Sequence, residues 1–375
     1  MFDEICYRKN TKLNMYTNNS ILIPDFNGDN QTDIFLHNSE TGKIGVWLMS
    51  GTNITAGAYL PDLDSSWDVI PVADFNGDNK TDIFLRNAET GKIGIWLMNG
   101  TNITAGAYLP DIDASWDIIP AADFNGDNQT DILLRNSETG KIGVWLMNGT
   151  NITAGAYLPD VDSSWDVIPS ADFNADNKTD ILLRNSEAGK IGVWLMNGTN
   201  ITAGAYLPDL DYSWDVIPVA DFNADNKTDI FLRNESTGKN AIWLMNGTNI
   251  TAGAYLPDVD SSWDVIPIAD FNGDNQTDIF LRNETTGKSG IWLMNGTNIT
   301  AGAYLPDLNS SWSLSPIVDF NGDDKSDLLL RNSTTGQNGI WLMNGTSITT
   351  GAYLPDIDSY WDLNFVGFLR NTLRE

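Results

Sequence analysis

The nine residues Asp25-Phe26-Asn27-Gly28-Asp29-Asn30-Gln31-Thr32-Asp33 return with small variations at Asp74, Asp123, Asp172, Asp221, Asp270 and Asp319. The spacing is constant (74 − 25 = 49), and no copy gains or loses a residue. A fixed period of this size marks a repeat architecture, in which each unit buries its apolar faces only against its neighbours. Length alone would allow the 375 residues two or three domains, but seven equal units describe one array.

Oxygen-bearing side chains hold positions 1, 3, 5 and 9 of every copy. They are Asp25, Asn27, Asp29 and Asp33; Asp74, Asn76, Asp78 and Asp82; Asp123, Asn125, Asp127 and Asp131; Asp172, Asn174, Asp176 and Asp180; Asp221, Asn223, Asp225 and Asp229; Asp270, Asn272, Asp274 and Asp278; and Asp319, Asn321, Asp323 and Asp327. Odd spacing lets one tight loop turn successive oxygens onto a hard cation. The backbone carbonyl of position 7 (Gln31, Lys80, Gln129, Lys178, Lys227, Gln276 and Lys325) is a further donor. Calcium takes about six to eight oxygens at about 2.3–2.6 Å in irregular geometry, so the pattern points to one Ca²⁺ per unit. Position 12 is Leu36 where an EF-hand needs a bidentate Glu, which leaves Asp33 to close the cage. A plain polar turn would explain Asn27-Gly28, but it does not call for a carboxylate at position 9 in all seven copies.

A net charge of −29 excludes the basic footprint that nucleic acid or an anionic membrane requires. Three Asp per loop over seven loops supply 21 of the 50 acidic residues, so the acidity reads as metal ligation. Calcium sites in turn place the protein outside the cell or at its surface. The single Cys6 allows no internal disulfide, and His37 stands where the other six copies carry Arg, as at a strand end. No run of 18 apolar residues spans a membrane, and residues 1–20 form a lead-in without the apolar core of a signal peptide.

In the second unit Val69-Ile70-Pro71-Val72-Ala73 reads as a short strand whose proline places it on a sheet edge, innermost in a ring, where Ala73 and Ala122 suit the crowding. Residues 81–86 and 92–98 are apolar on both faces and read as buried central strands. From Ile103 to Leu109 apolar and polar residues alternate, the mark of a strand with two unlike faces. Four antiparallel strands per unit, repeated seven times, predict an all-β, seven-bladed β-propeller over residues 21–375. The tryptophan at 67, 116, 165, 214, 263 and 312 recurs at Trp361 but has no counterpart before the first loop. Residues 361–375, with Trp361, Phe365 and Phe368, are therefore expected to complete the first blade.

The loop and the strand after it, Asp-Phe-Asn-Gly-Asp-x-x-x-Asp-Ile, resemble the FG-GAP repeats of integrin-α-like propellers from Ile21 to Pro355. The resemblance implies a seven-bladed propeller with calcium on one face. Gly57-Ala58-Tyr59 stands where the family would have Gly-Ala-Pro, and Ala175 and Ala224 replace the loop glycine in two copies. A lectin branch of such propellers, similar in blade count and lack of insertions, binds sugars between blades. By analogy this implies glycans as partners.

Each unit carries two tryptophans. Trp47, Trp96 and their equivalents lie in apolar runs and read as core. Trp67, Trp116, Trp165, Trp214, Trp263, Trp312 and Trp361 stand beside Asp and Ser, as Asp64-Ser65-Ser66-Trp67-Asp68 shows, and read either as wedges between blades or as platforms for the C–H face of a sugar. Catalysis is not expected, because identical repeats give every carboxylate the same environment, whereas acid/base work needs unlike ones. The function expected is a non-enzymatic, calcium-stabilised, multivalent carbohydrate-binding propeller. The alternative is a protein-binding adhesion or structural module of a larger surface protein.

Overall fold

The computed structural model describes residues 24–363 apart from 39, 88, 284 and 359. The lead-in 1–20, together with Phe365 and Phe368, lies outside the described residues. The described chain forms 28 strands in seven four-stranded antiparallel sheets, the blades of a propeller. The second blade, used here as the type, consists of Trp67–Ala73, Asp82–Asn87, Lys92–Asn99 and Asn102–Leu109, from the axis outward.

Proline decides which strand is innermost. Pro71 has no N–H for a ladder, and its strand pairs on one side only, with the register broken between Ile70 and Ala73. Innermost strands of neighbouring blades touch one another, and Ala73 and Ala122 are fully buried there. The second strand is buried along its whole length, since both its faces meet neighbouring blades.

The core lies in the seams and not inside any blade. Phe26, Phe35, Ile44, Val46 and Leu60 of the first blade form one buried cluster with Val69, Ile83, Leu85 and Met98 of the second. Burying each such side chain contributes about 1.5–3 kcal/mol, which a blade on its own forgoes on both faces.

A threonine or serine clasp flanks every seam, and an arginine clasp flanks six of the seven, His37 taking the arginine's place in the first blade. At the loop end the position-8 threonine of one blade locks onto position 1 of the blade before it. Thr81 N donates to Asp25 O at 2.7 Å, and Asp25 N donates to Thr81 Oγ1 at 2.8 Å. At the other end Arg86, only 8% exposed, donates to Gly91 O of its own blade and to Ile112 O and Asp113 O of the connection into the third. The recurring arginine is thus a seam tie, and its planar fork of donors suits three carbonyls at once.

The ring closes by the same means. Thr32 N donates to Asp319 O at 2.6 Å and Asp319 N to Thr32 Oγ1 at 2.9 Å, the same clasp between the seventh and first blades. Trp361–Leu363 pairs antiparallel with Ile34–Asn38, Leu363 opposite Leu36, and supplies the first blade with its innermost strand.

The outer strand departs from the alternation. Of Asn102–Leu109 only Leu109 is buried and Ile103 half-buried, while Ala105 and Ala107 are exposed with the residues between them. At the perimeter the side chains in the middle of this strand stay exposed, so alternation there sorts them by face without burying either.

Truncation before Trp361 removes the innermost strand of the first blade and one wall of the last seam. A large loss is expected, because deleting one large aromatic from a core alone costs about 3–5 kcal/mol. A thermal melt of the truncated chain that overlays the full-length melt would contradict this account of closure.

Candidate functional site

Two sevenfold features stand at opposite ends of every blade, and the strand registers separate them. The acidic loop joins the end of the first strand to the start of the second. Trp67, Lys92 and Tyr108 lie at the far end, near the turn between second and third strands.

In the loop, Asp25 gathers backbone amides. Its Oδ1 accepts from Gly28 N at 2.7 Å and Asp29 N at 3.2 Å, and its Oδ2 accepts from Asn30 N at 2.8 Å. Asn27 Oδ1 accepts from Asp29 N, and Asp29 Oδ1 accepts from Gln31 N. Asp33 is fully buried and differs from the others. Its Oδ2 accepts from Phe26 N at 2.8 Å and its Oδ1 from Met49 N at 2.9 Å, tying the loop to the third strand. Position 9 therefore has a structural use that the sequence reading did not weigh. The signal for it was there in the carboxylate's position just before a fully apolar strand.

Burial, with smaller contributions from the charges of positions 1 and 5, pushes the position-9 carboxyls up from 3.8 to about 7, against the pull of their two amides. In four loops a lysine at position 7 answers the position-5 charge, as Lys80 Nζ does to Asp78 Oδ2 at 3.3 Å; Lys178, Lys227 and Lys325 do the same. Among the described residues no three acidic side chains converge at metal-coordinating distance. The donors present are nonetheless all oxygens. Asp25 Oδ2, Asn27 Oδ1 and Asp29 Oδ1 each accept one amide and keep a lone pair, whereas Asp25 Oδ1 already accepts two, so in kind the set suits a hard cation.

At the far end each blade carries an aromatic cleft. Trp67 and Tyr108 approach with ring centroids 6.2 Å apart, and the pairing recurs as Trp116 with Tyr157, Trp165 with Tyr206, Trp214 with Tyr255, and Trp263 with Tyr304. Trp361 and Tyr59 make it at 5.9 Å, so the ring-closing strand also completes the first cleft. In the seventh blade a cleft of about 220 Å³ is lined by Leu308, Trp312, Leu330, Gly339, Trp341, Gly351, Ala352 and Tyr353. Trp312 and Trp341 also pack against the core shared by the sixth and seventh blades, so the cleft opens at a seam.

Glycine makes this geometry possible. A Cβ at Gly106 would stand 2.9 Å from Trp96 Cδ1, so only glycine lets the indole lie across the outer strand. The second tryptophan of each unit, read as core, is half-buried and forms a wall of the cleft. Tyr108 and its equivalents, about 70–78% exposed, are functional candidates that the sequence reading passed over. Asp68 is not beside Trp67. Register places it opposite Arg86 on the other face, where it feels His37 and Arg86. Asp64 folds back to accept from Ser66 N and Ser66 Oγ, which shapes the turn into Trp67.

A family model for the FG-GAP-like repeat matches residues 25–85, 74–134, 123–183, 172–232 and 221–281. No curated protein matches the chain. Among solved structures, a putative 6-phosphogluconolactonase from Bacteroides fragilis aligns at TM-score 0.51 and 13% identity, over 88% of this chain and 96% of that one. Hsv2 of Kluyveromyces lactis aligns at 0.45 and 10%, over 88% and 100%. The dihydro-heme d1 dehydrogenase NirN aligns at 0.48 and 9%, over 88% of this chain but 65% of its own. At such identities the likeness concerns the fold alone.

Two predictions follow from the loops. With divalent cations chelated, the folded chain holds position-9 protons that the unfolded chain releases near pH 4, so stability falls as pH rises from about 4 to about 7. Denaturant melts across that range check the sign, and stability rising with pH would contradict it. Ala175 and Ala224 sit at φ 58° and 55°, where a Cβ costs roughly 1–2 kcal/mol. Ala175→Gly and Ala224→Gly are therefore each expected to raise the melting temperature.

Proposed function

The chain belongs to the FG-GAP-like repeat family, and from that membership and the aromatic clefts we propose that it is a non-enzymatic, multivalent carbohydrate-binding propeller stabilised by calcium. A propeller of such repeats fits a non-catalytic binding module. The observation that carries the reading is the cleft of the seventh blade, two tryptophans and a tyrosine around a glycine floor, whose Trp–Tyr pair recurs in the other six blades. Flat aromatic faces take the C–H side of a sugar ring, and the cleft's 220 Å³ suits one ring, being smaller than the roughly 300–1,000 Å³ of drug-sized sites. One shallow site binds at roughly millimolar to micromolar strength, and seven on one rigid ring act together on a multivalent surface. Display at a cell surface or outside the cell suits such a partner.

Calcium would be held by positions 1, 3 and 5 of each loop with the position-7 carbonyl, and position 9 would hold the loop in place or join the ligands. When bound it offsets the repulsion among the loop carboxylates. Since the loops lie at the other end of the blade from the clefts, its role is to stiffen the ring and not to touch a sugar.

The protein-adhesion reading draws on a different observation, the seven exposed tyrosines on outer strands that pair on one side only. Tyrosine-rich perimeters and open strand edges also suit a protein partner.

A glycan array read in millimolar calcium, followed by Trp116→Ala and Trp165→Ala, separates the two. Glycan binding that weakens in both folded variants is expected, and an empty array would favour adhesion. Calcium should also raise the melting temperature, each occupied site contributing about 2.7 kcal/mol of stability at about 100 times its dissociation constant. Titration should resolve tighter binding at the three loops with Gln31, Gln129 and Gln276 than at the four where lysine already pairs with position 5. An unchanged melt would remove the stabilising role.

A further inference from the structure

The cations of this acidic chain are distributed in a way that bears on the ligand. Six seam arginines, from Arg86 to Arg331, follow the Arg86 pattern and spend their guanidinium groups on backbone carbonyls. Four loop lysines pair with aspartates of their own loops. Among the described residues the other lysines are Lys43, Lys92, Lys141, Lys190, Lys239 and Lys288, all exposed and all at the same place in the blade. That place is the rim of the cleft.

Strand register fixes the geometry in the third blade. Trp116 is opposite Asn136, Asn136 is opposite Lys141, and Gly143, two residues on, is opposite Tyr157. All four side-chain positions share one face. Lys141 Nζ stands 5.9 Å from the centre of the Tyr157 ring, and that ring stands 6.3 Å from Trp116. An ammonium is thus poised at the edge of the aromatic platform. In the fourth blade Lys190 Nζ reaches Asp209 Oδ2 at 2.6 Å, an exposed pair of the kind that contributes little and yields readily to another carboxylate. In the seventh blade Gln337 takes the lysine's place.

We propose that the clefts prefer sugars bearing a carboxylate, hexuronates in particular, with the aromatic faces taking the ring and the rim lysine taking the carboxylate. This rests on the carbohydrate reading and narrows it. A charge-assisted N–H···O contact is roughly twice as strong as a neutral one, so lysine discriminates where asparagine or glutamine would not. A cationic ligand is disfavoured by the same ammonium. The chain's overall charge repels anions from afar, but beyond a Debye length of about 8 Å at physiological salt that field is largely screened. Six of the seven clefts carry the lysine, and the seventh is a built-in control.

The test is an array of galacturonate and glucuronate oligosaccharides, each beside its neutral methyl ester, read with the full chain. The acids should bind at least about tenfold more tightly than the esters. A variant with lysine replaced by glutamine at positions 43, 92, 141, 190, 239 and 288 copies the seventh blade six times and should keep its melting temperature. It should lose the preference while retaining the binding to esters. Gln337→Lys should strengthen binding to the acids. Equal binding of acids and esters, or a preference that survives the sixfold change, overturns this inference and leaves the carbohydrate reading standing. The same holds if only neutral glycans of a wider array are bound. No glycan bound at all overturns both.

Discussion

Every blade has two apolar faces and no means of covering either, and that single constraint organises the molecule. Val69, Ile83 and Leu85 are buried only because Phe26, Phe35 and Val46 of the preceding blade meet them. Apolar burial is non-directional, so it would tolerate blades sliding past one another. Registration comes from the polar clasps at each end of the seam, which are directional. The hydroxyl of Thr81 and the amide of Asp25 form a pair that one residue of slippage would break. Seven such pairs, the last joining Thr32 to Asp319, make the ring a closed cycle.

The acidic loop belongs to that cycle as much as to any metal. Its first residue supplies the backbone half of the clasp, its second the phenylalanine buried in the seam, its eighth the hydroxyl, and its ninth a carboxylate that ties the loop to the third strand. A buried carboxylate satisfied by two amides but close to two others is costly when ionised, which is why position 9 sits near pH 7.

The far end of the blade shows how repetition and uniqueness coexist. Small residues at Gly94 and Gly106 open a face that Trp67, Trp96 and Tyr108 then line, and the same three side chains return around the perimeter. Around these constant aromatic walls the copies differ, as with Gln337 in place of lysine and Asn309 in place of aspartate at the seventh rim, and Ala241 in place of glycine in the fifth blade. A scaffold in which the walls are held constant and the rim varies can change what it recognises without changing its fold.

From the sequence alone came the period, the blade count, the proline-bearing innermost strand and the oxygen pattern of the loop, because each is a local regularity carried by consecutive residues. The match of the FG-GAP-like repeat agrees with the resemblance read from the loop. What the sequence did not disclose depends on which residues of different strands, or different blades, come to face one another. Asp68 and Trp67 are neighbours in the chain yet lie on opposite faces, because successive residues of a strand alternate. Lys141, Trp116 and Tyr157 are far apart in the chain yet share one platform, because three strand registers align them. In the sequence Arg86 is only a cation at a strand end, and the fold is what brings it Gly91 O of its own blade and two carbonyls of the connection to the next. The chain's periodicity determined that there would be seven equal units. Only the tertiary structure decided which of their side chains meet, since cross-strand and cross-blade partners are set by register and packing and leave no mark at short range in the sequence.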